Sequence, residues 1–126
     1  MPGYIPDRGD LIHLNFTPSA GREMAGPHYA LVISPTGFSR MTGKAVVCPI
    51  TSTIRGWPFE VRLPAGLLPR KKGQAHDADS AILCDQFRTL DYHARNATLV
   101  HRVGPEILRQ VLDRVLPTID PDLQDG

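Results

Sequence analysis

Titratable, hydroxyl and cationic side chains gather where short apolar runs begin or stop. His28 and Tyr29 open the run 30–33, delivered by Gly26-Pro27, and Arg22 and Glu23 lie just ahead of them. Thr51 and Ser52 follow the run 45–50, Arg55 and Trp57 flank Gly56, and Asp85, Gln86 and Arg88 come straight after Ile82-Leu83-Cys84. An imidazole takes or gives a proton near neutrality, hydroxyls bond phosphate oxygens, and guanidinium groups neutralise anionic charge. Strand ends and loops are where a rigid scaffold displays such groups. Each type also has a structural use: His28 as a strand cap, Thr51 and Ser52 as turn residues bonding nearby backbone. Trp57 is equally a core anchor or an exposed ring, and Asp85 and Gln86 are hydrogen-bonded structural groups, site-forming groups, or both.

Other chemistries are excluded by pattern. There is no zinc-ligand spacing, phosphate-binding glycine loop, Gly-x-Ser-x-Gly elbow or dinucleotide fingerprint. Cys48 and Cys84 each sit in an apolar segment without CxxC or Cys/His spacing, and read as buried reduced thiols. The net charge is only +1, but residues 40–72 carry seven basic side chains against the single acid Glu60, while Asp120, Asp122 and Asp125 face no base after Pro117. The basic stretch suits a phosphate-facing surface or a solvated one.

At 126 residues, 41% hydrophobic and 21% charged, the chain has the composition of one globular domain, expected over 1–118 with an acidic tail over 119–126. No run approaches membrane-spanning length and the first twenty residues hold no continuous apolar segment, so a cytoplasmic protein without a leader is expected.

The elements that must position these groups are short. Twelve prolines and eleven glycines punctuate apolar segments, the pattern of a small barrel or sandwich. Residues 9–16 alternate, with Ile12, Leu14 and Phe16 on one face and Leu11, His13 and Asn15 on the other, which suits a strand buried on one face. Residues 30–33 predict a central strand, 36–43 a polar connection with one helical turn, and 45–50 a strand that ends, bulges or lies at an edge because Pro49 cannot donate to a ladder. Further strands are expected over 59–63, 80–90 and 97–103, giving about six or seven. Ile107, Leu108, Val111, Leu112, Val115 and Leu116 recur with helical spacing behind Pro105, so an amphipathic C-terminal helix of about three turns is predicted, ended by Pro117. The fold class is mainly β, a small barrel with one C-terminal helix.

Taken in order, the fragments resemble the MazF/PemK family of toxin endoribonucleases from bacterial toxin–antitoxin pairs. The resemblance rests on Pro-Asp-x-Gly-Asp at Pro6 to Asp10, Gly-x-Glu-x-x-Gly at Gly21 to Gly26, and Ala-x-Val-x-Ser-Pro at Ala30 to Pro35. It continues through Pro49-Ile50-Thr51-Ser52, Gly56-Trp57-Pro58-Phe59-Glu60-Val61, and Asp85-Gln86 followed by Ala94-Arg95. It implies an SH3-like barrel and a homodimer whose two subunits form a groove for single-stranded RNA. It also implies sequence-specific cleavage without metal or cofactor, leaving a 2′,3′-cyclic phosphate and a 5′-hydroxyl. A disordered segment of a cognate antitoxin is expected to occlude the groove, beside the loop from Thr51 to Pro58.

By the same resemblance Thr51 matches the family's catalytic threonine and Glu23 a loop carboxylate of the site. His28 stands where most members place the arginine of an Arg-Pro pair, so a proton-transfer role for His28 is expected there. Arg22, Tyr29, Ser52, Arg55, Trp57, Asp85, Gln86 and Arg88 form the expected RNA-binding set, with Arg22 or Arg55 supplying fixed charge and Trp57 or Tyr29 a stacking surface. In one branch Asp85 matches a catalytic aspartate, but the basic residue two positions earlier is Leu83 here. The alternative is a non-catalytic interaction module or gyrase-poisoning toxin on the same barrel. That class relies on a tryptophan near the end of the helix, whereas the only tryptophan here is Trp57.

Overall fold

A computed structural model describes residues 3–17, 21, 25–69 and 79–122. The order is β1 (Asp10–Asn15), β2 (Pro27–Val32), α1 (Thr36–Thr42), β3 (Lys44–Thr51), β4 (Glu60–Leu63), β5 (Ser80–Leu83), a 3-10 turn (Cys84–Gln86), β6 (Arg88–Asp91), β7 (Thr98–Arg102) and α2 (Pro105–Ile119). The seven strands run β4-β5-β3-β2-β1-β7 in a curled sheet, with β6 also paired to β3. Every pairing is antiparallel.

The alternation in β1 carries cores on both faces, not one. Ile12, Leu14 and Phe16 join Ala30, Val32, Ala45, Val47 and Leu90 in one buried cluster. Leu11 joins Leu31, Cys48, Ile50, Val61 and Ile82 in a second, covered by Ile107, Leu108, Val111, Leu112 and Val115 of α2. The expectation of a single buried face fails because α2 folds back over the side that alternation alone leaves open. Both thiols, Cys48 and Cys84, are free and buried.

Pro49 does not end β3, which continues to Thr51. The irregularity falls on the facing strand. Val47 pairs with Arg88 and Ile50 with Ile82, so two β3 residues face five between those partners. The surplus of three is taken up by the 3-10 turn Cys84–Gln86, which splits the strand expected over 80–90. A proline offers no N–H, so that stretch of the facing strand has no donor to pair with and puckers outward. α2 likewise runs through Pro117 to Ile119. The missing Pro117 N–H falls in the last turn, where the Thr118 hydroxyl donates to Val115 and the Asp120 N–H to the Leu116 carbonyl, closing the end. α1 is seven residues long, longer than the single turn expected.

The Pro-Asp-x-Gly-Asp segment fastens the N-terminus. Asp10 is 1% exposed. Its Oδ2 accepts the Tyr4 hydroxyl and the Asp7 N–H, and its Oδ1 accepts Arg102 Nε at 3.0 Å. Gly9, at φ +97°, turns the chain so that its N–H reaches the Val32 carbonyl while its carbonyl takes the Val103 N–H. Burial pushes the Tyr4 phenol up, with the Asp10 hydrogen bond and charge adding to it. Replacing Asp10 with Ala strands three donors at the junction of β1, β2 and β7; we expect a loss of about 2–4 kcal/mol, read from urea unfolding.

Candidate active site on the inner rim

β1 and β2 pair so that His28 faces Leu14 and Tyr29 faces His13. Successive residues of a strand point to opposite faces, so the two side chains part. His28 shares the face of Ala30 and Val32, at the rim of the inner cluster. Along β3 the same alternation sends Val47, Pro49 and Thr51 to that face and Cys48 and Ile50 to the other. The β2–β3 register ends at the pair Ala30–Pro49, two residues short of His28 on one strand and of Thr51 on the other. There β3 leaves β2 for β5, pairing Thr51 with Ala81.

The hydrogen bonds decide which atoms of these two residues are available. His28 Nε2 lies 2.8 Å from the Ala25 carbonyl oxygen. A carbonyl only accepts, so Nε2 carries the hydrogen and, in the neutral ring, Nδ1 holds the lone pair. Thr51 Oγ1 accepts the Thr53 N–H at 3.1 Å. That turn occupies an acceptor site of the hydroxyl and leaves its O–H to donate. His28 thus offers a lone pair able to take a proton, and Thr51 a hydroxyl able to bond an anionic oxygen.

Arg88, half-buried and paired with Val47 across the β3–β6 ladder, reaches over the same face. Its guanidinium carbon lies 5.7 Å from the centre of the Phe16 ring. The Phe16 ring in turn meets the His28 imidazole at 6.3 Å between centres, tilted by 57°. Phe16 is the residue that motif reading missed: it was placed in the core by alternation alone. The signal was present, because Phe16 closes β1 just before the loop from which His28 emerges, and antiparallel strands joined by a loop bring its two ends together.

The remaining predicted residues divide. Tyr29 faces the α2 side, its ring edge-on to His13 at 5.1 Å, with Ile50 as its neighbour in the core. It is therefore not brought to His28. Ser52 is exposed beside Thr51. Arg55 and Trp57 form a unit of their own: the guanidinium lies 5.2 Å from the Trp57 ring, which packs edge-on to Phe59, and Trp57 is 47% exposed. Hydrogen bonds brace this loop. Glu60 Oε1 accepts the N–H groups of Arg55 and Gly56, and Arg114 Nε donates to the Pro58 carbonyl at 3.0 Å. Asp85 is exposed and Gln86 half-buried on the 3-10 turn opposite Pro49. Arg22 and Glu23 lie outside the described residues. Among the described residues no group of three His, Cys, Asp or Glu comes together that could hold a metal ion, and no helix is long and apolar enough to cross a membrane.

A small curled sheet backed by a C-terminal helix carries His28 and Arg88 against one ring, Phe16, and Thr51 at the end of β3. The chain belongs to the PemK-like, MazF-like toxins of type II toxin-antitoxin systems, matching that family over residues 7–118. It is 37% identical over 112 residues to the endoribonuclease toxin MazF of Escherichia coli K12, covering 89% of this chain and 92% of that protein. It is 33% identical over 109 residues to the endoribonuclease PemK of Escherichia coli, covering 86% and 78%. Among solved structures it resembles a crystal form of MazF from Deinococcus radiodurans with a TM-score of 0.80 and 38% identity, covering 93% of this chain and 98% of that one. It also resembles a MazE–MazF crystal structure from the same organism with a TM-score of 0.73 and 34% identity, covering 94% and 98%.

Asp85 is strained electrostatically. Loss of hydration raises its carboxyl above the usual range, and the charge of Glu60 raises it further, against a backbone hydrogen bond that lowers it. A carboxyl raised in the folded state holds its proton more tightly there than in the unfolded chain. Its ionisation therefore opposes folding once the pH exceeds the unfolded value, and has no effect well below it. Asp85→Asn should raise Tm at pH 7 by no more than a few degrees, because solvent screens this exposed group. At about pH 3, where both states are protonated, the gain should vanish; thermal melts at the two pH values check this.

Proposed function

We propose that this chain is the endoribonuclease toxin of a toxin–antitoxin pair, cleaving single-stranded RNA at specific sequences by attack of a ribose 2′-hydroxyl on the adjacent phosphodiester. The observation that supports the mechanism is the hydrogen bonding of the two residues: His28 Nε2 is engaged by the Ala25 carbonyl, leaving the Nδ1 lone pair, and Thr51 Oγ1 accepts from Thr53, leaving its O–H to donate. Family membership and the endoribonuclease relatives support the substrate class. Nδ1 of His28 takes the 2′-OH proton as general base, the 2′-oxygen–phosphorus bond forms as the bond from phosphorus to the 5′-oxygen breaks, the leaving 5′-oxygen takes a proton from water, and the Thr51 hydroxyl donates to a non-bridging phosphate oxygen. A guanidinium is a poor base but a permanent cation, so Arg88 at the same rim neutralises charge that builds on the phosphoryl group. The chemistry needs the 2′-hydroxyl, so DNA binds without reacting.

Glu23 is assigned a site role by the family resemblance alone, as are Arg22, Ser52, Asp85 and Gln86 in holding RNA. The exposed Trp57, backed by Arg55, offers a face on which a base could stack; Tyr29, turned to the α2 side, does not serve that base. The working form is a homodimer in the cytoplasm, silenced when a cognate antitoxin's extended segment covers the groove. The MazE–MazF structure of a relative supports that partner. The reaction as written consumes no cofactor and needs no metal ion.

The test compares wild type, His28→Ala and Thr51→Ala on a defined single-stranded RNA in EDTA. We expect kcat to fall about 10²- to 10⁴-fold without His28 and about 10²- to 10³-fold without Thr51. Cyclic-phosphate ends should appear on the wild-type products. Undiminished cutting by His28→Ala sinks the base assignment. kcat/KM should also decline on the acidic side, because a proton on Nδ1 removes the lone pair, and the residual activity of His28→Ala should lack that limb. A limb only on the alkaline side would reassign His28 as the acid.

A further inference from the structure

We infer that Phe16 is a positioning residue for RNA cleavage: its buried ring is the common wall against which the His28 imidazole and the Arg88 guanidinium both rest. The inference rests on the reading of His28 and Arg88 given above. The Arg88 guanidinium carbon is 5.7 Å from the ring centre and the His28 imidazole centre is 6.3 Å from it, so the two groups lie closer together than the sum of those distances. Phe16 is itself immobile. It is 0% exposed, packed among the inner-cluster side chains, and its N–H is bonded to the Gly26 carbonyl at 2.9 Å.

The contacts differ in kind, and neither is general packing. A planar guanidinium over an aromatic face is drawn by the ring's negative quadrupole, which orients Arg88 as well as placing it. The tilted imidazole is fixed at two points: Phe16 limits its rotation on one side and the Ala25 carbonyl holds Nε2 on another. Arg88 comes from β6 and His28 from β2, strands not paired with one another. Phe16, one residue past the end of β1, therefore bounds how far apart the two groups stand, and a single phosphodiester must lie within reach of both. An aliphatic side chain of similar bulk would fill the core but present no face to Arg88.

The experiment uses Phe16→Leu, which keeps apolar volume but removes the ring, and Phe16→Tyr, which keeps the ring but adds a hydroxyl in a fully buried site. Both are compared on the same RNA for kcat and KM, with Tm and circular dichroism reporting the fold. Phe16→Leu should lower kcat on the order of 10- to 100-fold beyond anything its folded fraction explains, with a smaller change in KM. Phe16→Tyr should recover most of that loss even if it melts earlier. The drop from Phe16→Leu should shrink in an Arg88→Ala background, because the residue it orients is gone. If both variants cut at rates that follow only their folded fractions, or if the Leu and Ala changes multiply independently, the positioning role is overturned. Loss of cutting in His28→Ala together with normal cutting in Phe16→Leu rejects this inference while leaving the proposed function intact; normal cutting in His28→Ala rejects the base assignment itself.

Discussion

The absent N–H of Pro49 shapes the rim more than any interaction that is present. With no donor at that point, the strand facing β3 loses its regular ladder and accommodates three additional residues as the turn Cys84–Gln86. The two halves of β3 then serve different partners. Lys44 to Val47 pair with β6, Val47 to Pro49 with β2, and Ile50 and Thr51 with β5. The β2–β3 pairing stops at Ala30–Pro49, two residues short of His28 and of Thr51, which pair instead with Leu14 of β1 and Ala81 of β5.

The second constraint is the pleat. His28 and Tyr29 are adjacent in sequence, yet one joins the rim with Phe16 while the other packs beside His13 toward α2. Because α2 covers the outer face, that face became a second core, and its polar groups are held by neighbours. On the inner face the sheet curls around its core, and at Phe16 the His28 imidazole and the Arg88 guanidinium meet that core. The division explains why side chains of similar chemical promise in the sequence have unlike surroundings. Arg55 and Trp57 belong to neither face. They are mounted on a loop that Glu60 and Arg114 brace from β4 and α2.

Much of this was legible in the sequence. Alternation in 9–16 separates the two faces of β1 correctly, the spacing behind Pro105 gives α2 and the side it buries, and the strand count follows from the turn residues. Legibility failed where the outcome depended on a neighbour. Pro49 announced an irregularity, but a single strand does not say which partner will yield. Pro117 resembled a stop, but in the final turn its missing N–H costs little. The site was legible as residue types at strand ends. Its composition was not, because Phe16 and Arg88 come together only through curling of the sheet, which leaves no periodic trace. Tyr29 shows the converse error, since adjacency to His28 suggests partnership until the pleat separates them.

The pairing of an imidazole with a remote guanidinium also follows from what each group does badly. An arginine at position 28 would bring permanent charge to the phosphate but would be ill suited to take a proton; a histidine there takes the proton but holds positive charge only after doing so. A site built on histidine therefore needs its fixed cation from elsewhere, and near enough to act on the same phosphate. Direct contact between the two would be costly, since a protonated imidazole and a guanidinium repel. A shared aromatic neighbour eases the conflict: its ring attracts the cation, and its burial gives both groups a common reference. The Ala25 carbonyl completes the arrangement by accepting from Nε2, so that the imidazole gains an electron-rich neighbour without a second acidic group. In the proposed mechanism proton transfer and charge neutralisation thus fall to two strands, with Phe16, just past β1, in contact with both groups.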